Sequence, residues 1–288
     1  MRFDELNPAV VFVYYAAVTV ITMFSMNPVI IGIALVSSIL CYCLYAKGGI
    51  RVHLFSLVLF LVLAVINPLV VHNGMTVLFY LNSRPITLEA TLYGVSAAAT
   101  VTATLYRLRS LSHDFTGDKL LYLCSRLSPK IALILSMALR YVSLFKHRWH
   151  KVQDSQKALG LYRDGNLIDA VHGRLRVLSI LLTWLLENGV VTALSMDARG
   201  YGSRRRTSFA IFRFGIVDLL FILLTLVLTG GCVAAVVDSH IAYYPQIQAN
   251  LFSAPSIAGY LAYAILGILP VIINTKEAIR WRRLTSAI

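Results

Sequence analysis

The sequence predicts an all-α polytopic membrane protein. It should have about six transmembrane helices, with long basic amphipathic helices on the cytoplasmic side between spans four and five. Three observations carry this. Of the 288 residues, 58% are hydrophobic and only 14% charged, with a mean hydropathy of +0.74, whereas a soluble globule holds about 25% charged residues. Several apolar runs reach the roughly 20 residues needed to cross a bilayer. Finally, 18 of the 26 Lys and Arg residues crowd between positions 107 and 213.

The spans are expected at 9–26, 28–46, 52–71, 88–105, 214–237 and 257–275. The opening MRFDELNPAV has one arginine and two acids and leads to no clean small-residue cleavage site, so the first span should be retained. Pro28 marks the turn between the first two spans, and the Lys47–Arg51 loop marks the next. Asn67-Pro68 should bend the third near its exit. The stretch 72–87 is short and amphipathic, and is expected as an interfacial loop or re-entrant piece. The chain therefore divides into a four-span membrane domain at 1–106, a cytoplasmic or interfacial domain at 107–213, and a two-span hairpin with a basic tail at 214–288. With 107–213 inside, 25 basic residues face the cytoplasm and only Arg84 lies outside. The positive-inside rule then puts both termini in the cytoplasm. Cys41, Cys43, Cys124 and Cys232 form no Cys-x-x-Cys pair and read as small apolar residues.

Two long helices are expected in the middle segment. One starts at Ser128-Pro129, a capping residue followed by proline at the first helical position. It runs to Gly160, about 46 Å at 1.5 Å per residue. The other runs from about Val171 to Arg199, or roughly 43 Å. Its apolar residues Leu178, Leu182, Leu185, Gly189, Ala193 and Met196 recur at three to four residues, with Thr183 and Glu187 on another face. Both helices close on the pattern Ser-x-x-Ala-x-Gly, at 155–160 and again at 195–200. Two amphipathic helices with one small-x-small ending suggest a paired device whose tips enter grooves closely.

In this order the residues resemble the transmembrane T component (EcfT/CbiQ family) of energy-coupling factor transporters, over most of the chain. Asn67-Pro68-Leu69 followed by His72-Asn73-Gly74 resembles the family's Asn-Pro segment. Arg140 stands in a stretch that resembles the helix leading to the first signature. Ala198-Arg199-Gly200, followed by Tyr201-Gly202 and Arg206-Thr207, resembles the second Ala-Arg-Gly signature and its basic tail. The resemblance implies a subunit of a prokaryotic plasma-membrane importer that does no chemistry and holds no cofactor. Its cytoplasmic helices become coupling helices. Their tips dock into two ABC-type ATPase subunits or domains, and their apolar faces hold a membrane-embedded S component that binds a vitamin or a metal ion such as cobalt or nickel. The first signature departs from the family pattern: it reads Ala158-Leu159-Gly160, without arginine. Lys157 and Arg163 flank it and can supply the charge, or this arm docks by packing alone. Two different ATPase subunits, or two unlike halves of one protein, fit that asymmetry.

Each singled-out residue has a plainer reading beside the functional one. Arg199 in a last helical turn suits the negative end of the helix dipole. A forked guanidinium can also pair with a carboxylate in a partner groove, which lysine does less well. Arg204, Arg205 and Arg206 read first as a topology-fixing run against anionic lipid. Glu187, beside Asn188 in an apolar helix, should pair with a basic residue on the crossing helix or else meet the substrate-binding subunit. His147, His150 and His172 lie among cations and read as solvated rather than metal-binding. Asp218 should pair with Arg213, and Asp238 with His240 marks an external loop. No P-loop, Gly-x-Ser-x-Gly or His-Glu-x-x-His occurs. An integral-membrane enzyme would need clustered acids, and Asp154, Asp164 and Asp169 lack motif spacing. A self-contained secondary transporter would show inverted repeats and a polar mid-membrane site, and neither is evident. The spans exclude a soluble nucleic-acid binder.

Overall fold

The structure is a computed structural model, and it describes residues 3–45, 49–71, 74–81, 84–161, 167–201, 212, 214–238, 241–243, 248–249 and 253–285. Arg2, Lys47, His72, Asn73, Arg163, Asp164, Gly202, Arg204 to Arg206, Thr207, Arg213 and His240 lie outside the described residues. Helix dominates. After a 3₁₀ turn at Phe3–Glu5 come α1 (Pro8–Phe24), α2 (Pro28–Tyr45) and α3 (Ile50–Val70). A short hairpin, β1 (Val77–Leu81) and β2 (Arg84–Thr87), leads into α4 (Leu88–Asp114). Then follow α5 (Gly117–Leu127), α6 (Pro129–Ala158), α7 (Leu167–Ala198), α8 (Ile216–Asp238), a two-residue strand pair (β3, Ile241–Ala242; β4, Gln248–Ala249) and α9 (Ala254–Thr285). The chain forms two units: residues 1–116 with 212–288, and residues 117–211.

Helices stand at all six expected apolar runs. Among the described residues, α3, α8, α9 and α7 are long and apolar enough to cross a membrane by length and composition. α1 and α2 are apolar but shorter. α4 carries Glu89, Arg107, Arg109 and Asp114 and continues to residue 114, beyond the run expected to end at 105. α7, expected at the cytoplasmic side or the membrane interface, is also long and apolar enough to count as a candidate span, though its mean hydropathy of 1.7 is below the 2.4 of α3.

In the first unit the starts of two helices are tied by one carboxylate. Asn7 caps α1 by accepting the Ala9 N–H at 3.1 Å, and Pro8 supplies a first-turn residue that needs no donor partner. The Asn7 backbone N–H donates to Asp218 Oδ1 at 3.1 Å, and the Gly215 N–H donates to Asp218 Oδ2 at 2.9 Å. Asp218 is buried and thus joins the start of α1 to the start of α8. Its expected partner Arg213 lies outside the described residues. Phe3, Tyr14 and Phe221 fill the space beside it, with Phe3 edge-on to both other rings at 5.3 and 5.8 Å. Deeper in the same core, the Tyr14 hydroxyl donates to the Leu266 carbonyl of α9 at 2.9 Å.

In the sequence Arg107 counts only as one of the basic residues placed on the cytoplasmic side, and it is buried. It is 1% exposed, inside α4, and its Nη2 donates to Ser37 Oγ of α2 at 2.6 Å. Its Nε and Nη1 have no hydrogen-bond partner among the described residues. The loop expected at 72–87 contains a strand pair. β1 and β2 are antiparallel, with Tyr80 opposite Pro85. The Thr76 N–H donates to the buried Glu89 carboxylate at 3.2 Å, fixing the hairpin to the first turn of α4.

Candidate functional site

The second unit consists of α5, α6 and α7, and α6 packs on both of the others. α6 begins as the sequence suggested, at Pro129, but the Ser128 side chain makes no capping bond. Its carbonyl instead accepts the Ala132 N–H at 3.1 Å. α7 begins at Leu167, four residues before the expected start.

The two helix ends are built alike. At the end of α6, the Gly160 N–H donates to Lys157 O at 3.0 Å and the Leu161 N–H to Gln156 O at 3.1 Å. At the end of α7, the Gly200 N–H donates to Asp197 O at 2.9 Å and the Tyr201 N–H to Met196 O at 3.1 Å. These paired bonds are a Schellman cap, which satisfies the last orphan carbonyls and needs a left-handed residue at the glycine position. Gly160 and Gly200 both have φ +71°. No atom lies within 4 Å of a Cβ added at Gly160, so backbone conformation, not space, demands glycine there. The serines match as well: Ser155 Oγ donates to Lys151 O at 2.9 Å, and Ser195 Oγ to Val191 O at 2.8 Å.

What differs is the side chain each cap presents. Ala158, Leu159, Ala198 and Arg199 are all exposed, and Leu159 shows 69% of its surface where the other tip carries arginine. Lys157 stands where the second tip has Asp197. An apolar side chain this exposed at a helix tip is costly in water, whereas an exposed arginine costs nothing. The tips share a backbone but offer different chemistry.

α6 and α7 run in opposite senses where they meet. Tyr141 of α6 reaches Thr192 of α7, its hydroxyl 2.9 Å from Thr192 Oγ1. Further along α6, the Arg148 guanidinium lies 4.6 Å from the centroid of the Trp184 ring, so rising numbers on α6 meet falling numbers on α7. The packed face of α7 carries Gly173, Val177 and Leu181, all buried, then half-buried Trp184, Asn188 and Thr192. The apolar face picked out by periodicity is not this one: Leu178 and Leu182 are exposed. α7 is apolar on most sides, so spacing alone could not choose between faces. The polar atoms of Asn188 and Thr192 mark the packed side because they have hydrogen-bond partners there.

The remaining candidates are separate from the tips. Arg140 and Glu187 are exposed on α6 and α7, and Glu187 makes no ion pair among the described residues, so the first of its two readings, a cation on the crossing helix, finds no partner there. Pro68 is buried within α3, where its ring removes the hydrogen bond to Ala64 O. Gly94 of α4 comes against that place: an added Cβ would lie 3.0 Å from the Asn67 Cβ and 3.1 Å from Ala64 O. Asn67-Pro68 thus shapes the α3–α4 contact in the first unit. No cluster of three metal-ligating side chains occurs among the described residues. The sequence reading missed Tyr141, Arg148 and Trp184. Their signal was a polar or aromatic residue at matching positions of the two helices, which becomes visible only once the register is known.

A polytopic α-helical membrane protein with two long, like-capped helices in a unit of their own is the class these observations define. The CbiQ family model, described as a cobalt transport protein, matches residues 4–209. The chain belongs to this CbiQ/EcfT family. It is similar to the energy-coupling factor transporter transmembrane protein EcfT of Streptococcus equi subsp. equi, 32% identical over 101 residues. That of Lactobacillus helveticus is 30% identical over 103 residues, and that of Listeria innocua 29% over 103 residues. These matches cover 34%, 35% and 35% of this chain, and 38%, 37% and 39% of the relatives. The chain thus spans well under half the length of the curated relatives it matches.

Proposed function

We propose that this chain is the transmembrane coupling subunit of an energy-coupling factor importer. The ends of α6 and α7 dock into two ABC-type ATPase subunits or domains. The exposed apolar surface of the same helices meets a membrane-embedded substrate-binding S component, which carries a vitamin or a metal ion. The chain itself is no enzyme in this reading, since ATP is hydrolysed by its partners. The unit holding α6 and α7 lies at the cytoplasmic face, and both termini face the cytoplasm.

The observation that carries the reading is the matched pair of tips. Two helix ends 40 residues apart share one cap, one glycine conformation and one serine bond, and both are exposed. A single such end is an ordinary helix terminus. A repeated one, with α7 rising about 48 Å between its ends, fits a scaffold that addresses two similar partners. Leu182, Leu186, Val190 and Leu194 continue an exposed apolar row along α7, from 50% to 73% exposed. A surface of that kind marks a protein or membrane contact.

The test is co-purification of the tagged chain with the ATPases encoded beside it. Wild type should retain ATPase, Arg199→Glu should lose at least tenfold of it, and Arg199→Lys should lose less. Leu159→Glu should also weaken capture, because it places a charge where an apolar contact is expected. If wild type captures no ATPase under mild solubilisation, the coupling reading fails.

A further inference from the structure

Two side-chain contacts between α6 and α7 stand out among the described residues, and they are different in kind. At one, the Thr192 hydroxyl donates its proton to the Asn188 carbonyl at 2.7 Å. Thr192 Oγ1 is therefore left as the acceptor for the Tyr141 hydroxyl at 2.9 Å. The chain Tyr141 to Thr192 to Asn188 O has one direction, and the same carbonyl lies 3.4 Å from the phenol oxygen. At the other, seven residues further along α6, Arg148 lies over Trp184. A guanidinium above an indole is the stronger form of this contact.

One contact would let α7 pivot, whereas two about 10 Å apart along α6 fix its direction. Ala198 lies fourteen residues beyond Trp184, or about 21 Å. A tilt of about 20° around the Trp184 contact would carry the tip by about 7 Å. Recognition geometry tolerates displacements on the order of 0.5 Å. The last two turns of α7, from Val191 to Ala198, have largely exposed side chains, so packing does little to hold them. The phenol bond lies at the start of that stretch.

We propose that Tyr141, acting through Thr192, is a positioning residue for the α7 tip, with Arg148 and Trp184 as the second anchor. The bond holds the α7 arm at the angle that presents Arg199. The proposal rests on the docking reading for what the tip meets, but not for the geometry it predicts.

The experiment uses the full chain in nanodiscs with its four cysteines replaced and spin labels introduced by Lys151→Cys and Leu194→Cys, both at exposed positions. Tyr141→Phe and Thr192→Val should each broaden the inter-label distance distribution about twofold, and the double variant should be no broader than either. Thr192→Ser, which keeps the hydroxyl, should stay as narrow as wild type. In co-purification, Tyr141→Phe should lower ATPase capture about threefold although Arg199 is intact. An unchanged distribution in Tyr141→Phe overturns the proposal, as does a broadened one with full capture. Should Tyr141→Phe fail to fold, Thr192→Val against Thr192→Ser carries the same comparison. If Arg199→Glu and Leu159→Glu both retain all ATPase, the docking reading fails, while the distances still test the Tyr141–Thr192 bond.

Discussion

At Gly160 and Gly200 one torsion angle determines which residue is allowed. Both sit at φ +71°; the space around Gly160 is open, so alanine there meets no clash and pays only for the left-handed backbone, about 1 kcal/mol. Gly200→Ala should lower thermal stability slightly and weaken ATPase capture by more than that cost implies, because the cap presents Arg199. Gly200→Asn should be milder, since asparagine tolerates this conformation. A Gly200→Ala chain with wild-type capture would show that the cap geometry is not what the partner reads. Arg107 is the opposite case: nothing in its local sequence marks it as buried. Its burial depends on α2 placing Ser37 beside it.

Between elements, the contact of α3 with α4 turns on a proline facing a glycine. Pro68 removes a helical hydrogen bond, and Gly94 lets α4 approach the gap. Gly94→Leu should overpack this contact and cost about 1–3 kcal/mol, read as a lower melting temperature of the purified chain. Gly94→Ala should cost less, since a single Cβ at 3.0 Å asks the neighbours to give by only a few tenths of an ångström. Equal stability of Gly94→Leu and wild type would show that the two helices can part there freely. The Asn67-Pro68 pair was legible in the sequence as an interruption of the third apolar helix. Its counterpart 26 residues on was not, because a lone glycine in an apolar helix has several possible reasons.

Over the whole molecule, the distribution of Lys and Arg sets an expected orientation. On the six-span reading, only Arg84 is expected on the side opposite the other 25 basic residues. A fluorescent protein fused at the C-terminus should therefore fold and fluoresce in the cytoplasm, and alkaline phosphatase fused after Leu81 should be active outside. The reverse pattern would invert the topology and place the tips away from any ATPase. One carboxylate links regions far apart in the chain: Asp218 accepts from Asn7, 211 residues earlier. The sequence reading sought its partner among nearby cations. The bonds described instead come from two backbone N–H groups, which no residue pattern displays.

Composition and periodicity by themselves determined the helical membrane class, the long helices between the apolar runs and the repeated tip pattern. They could do so because these features are local: an apolar run, a proline at a helix start and a glycine at a helix end act within a few residues. Only the tertiary structure decided that Arg107 is buried, that Asp218 ties α1 to α8, and which face of α7 packs on α6. An apolar helix offers several equivalent faces to a partner. The choice among them is made by a few polar atoms, such as those of Tyr141 and Thr192, that must find each other across the register.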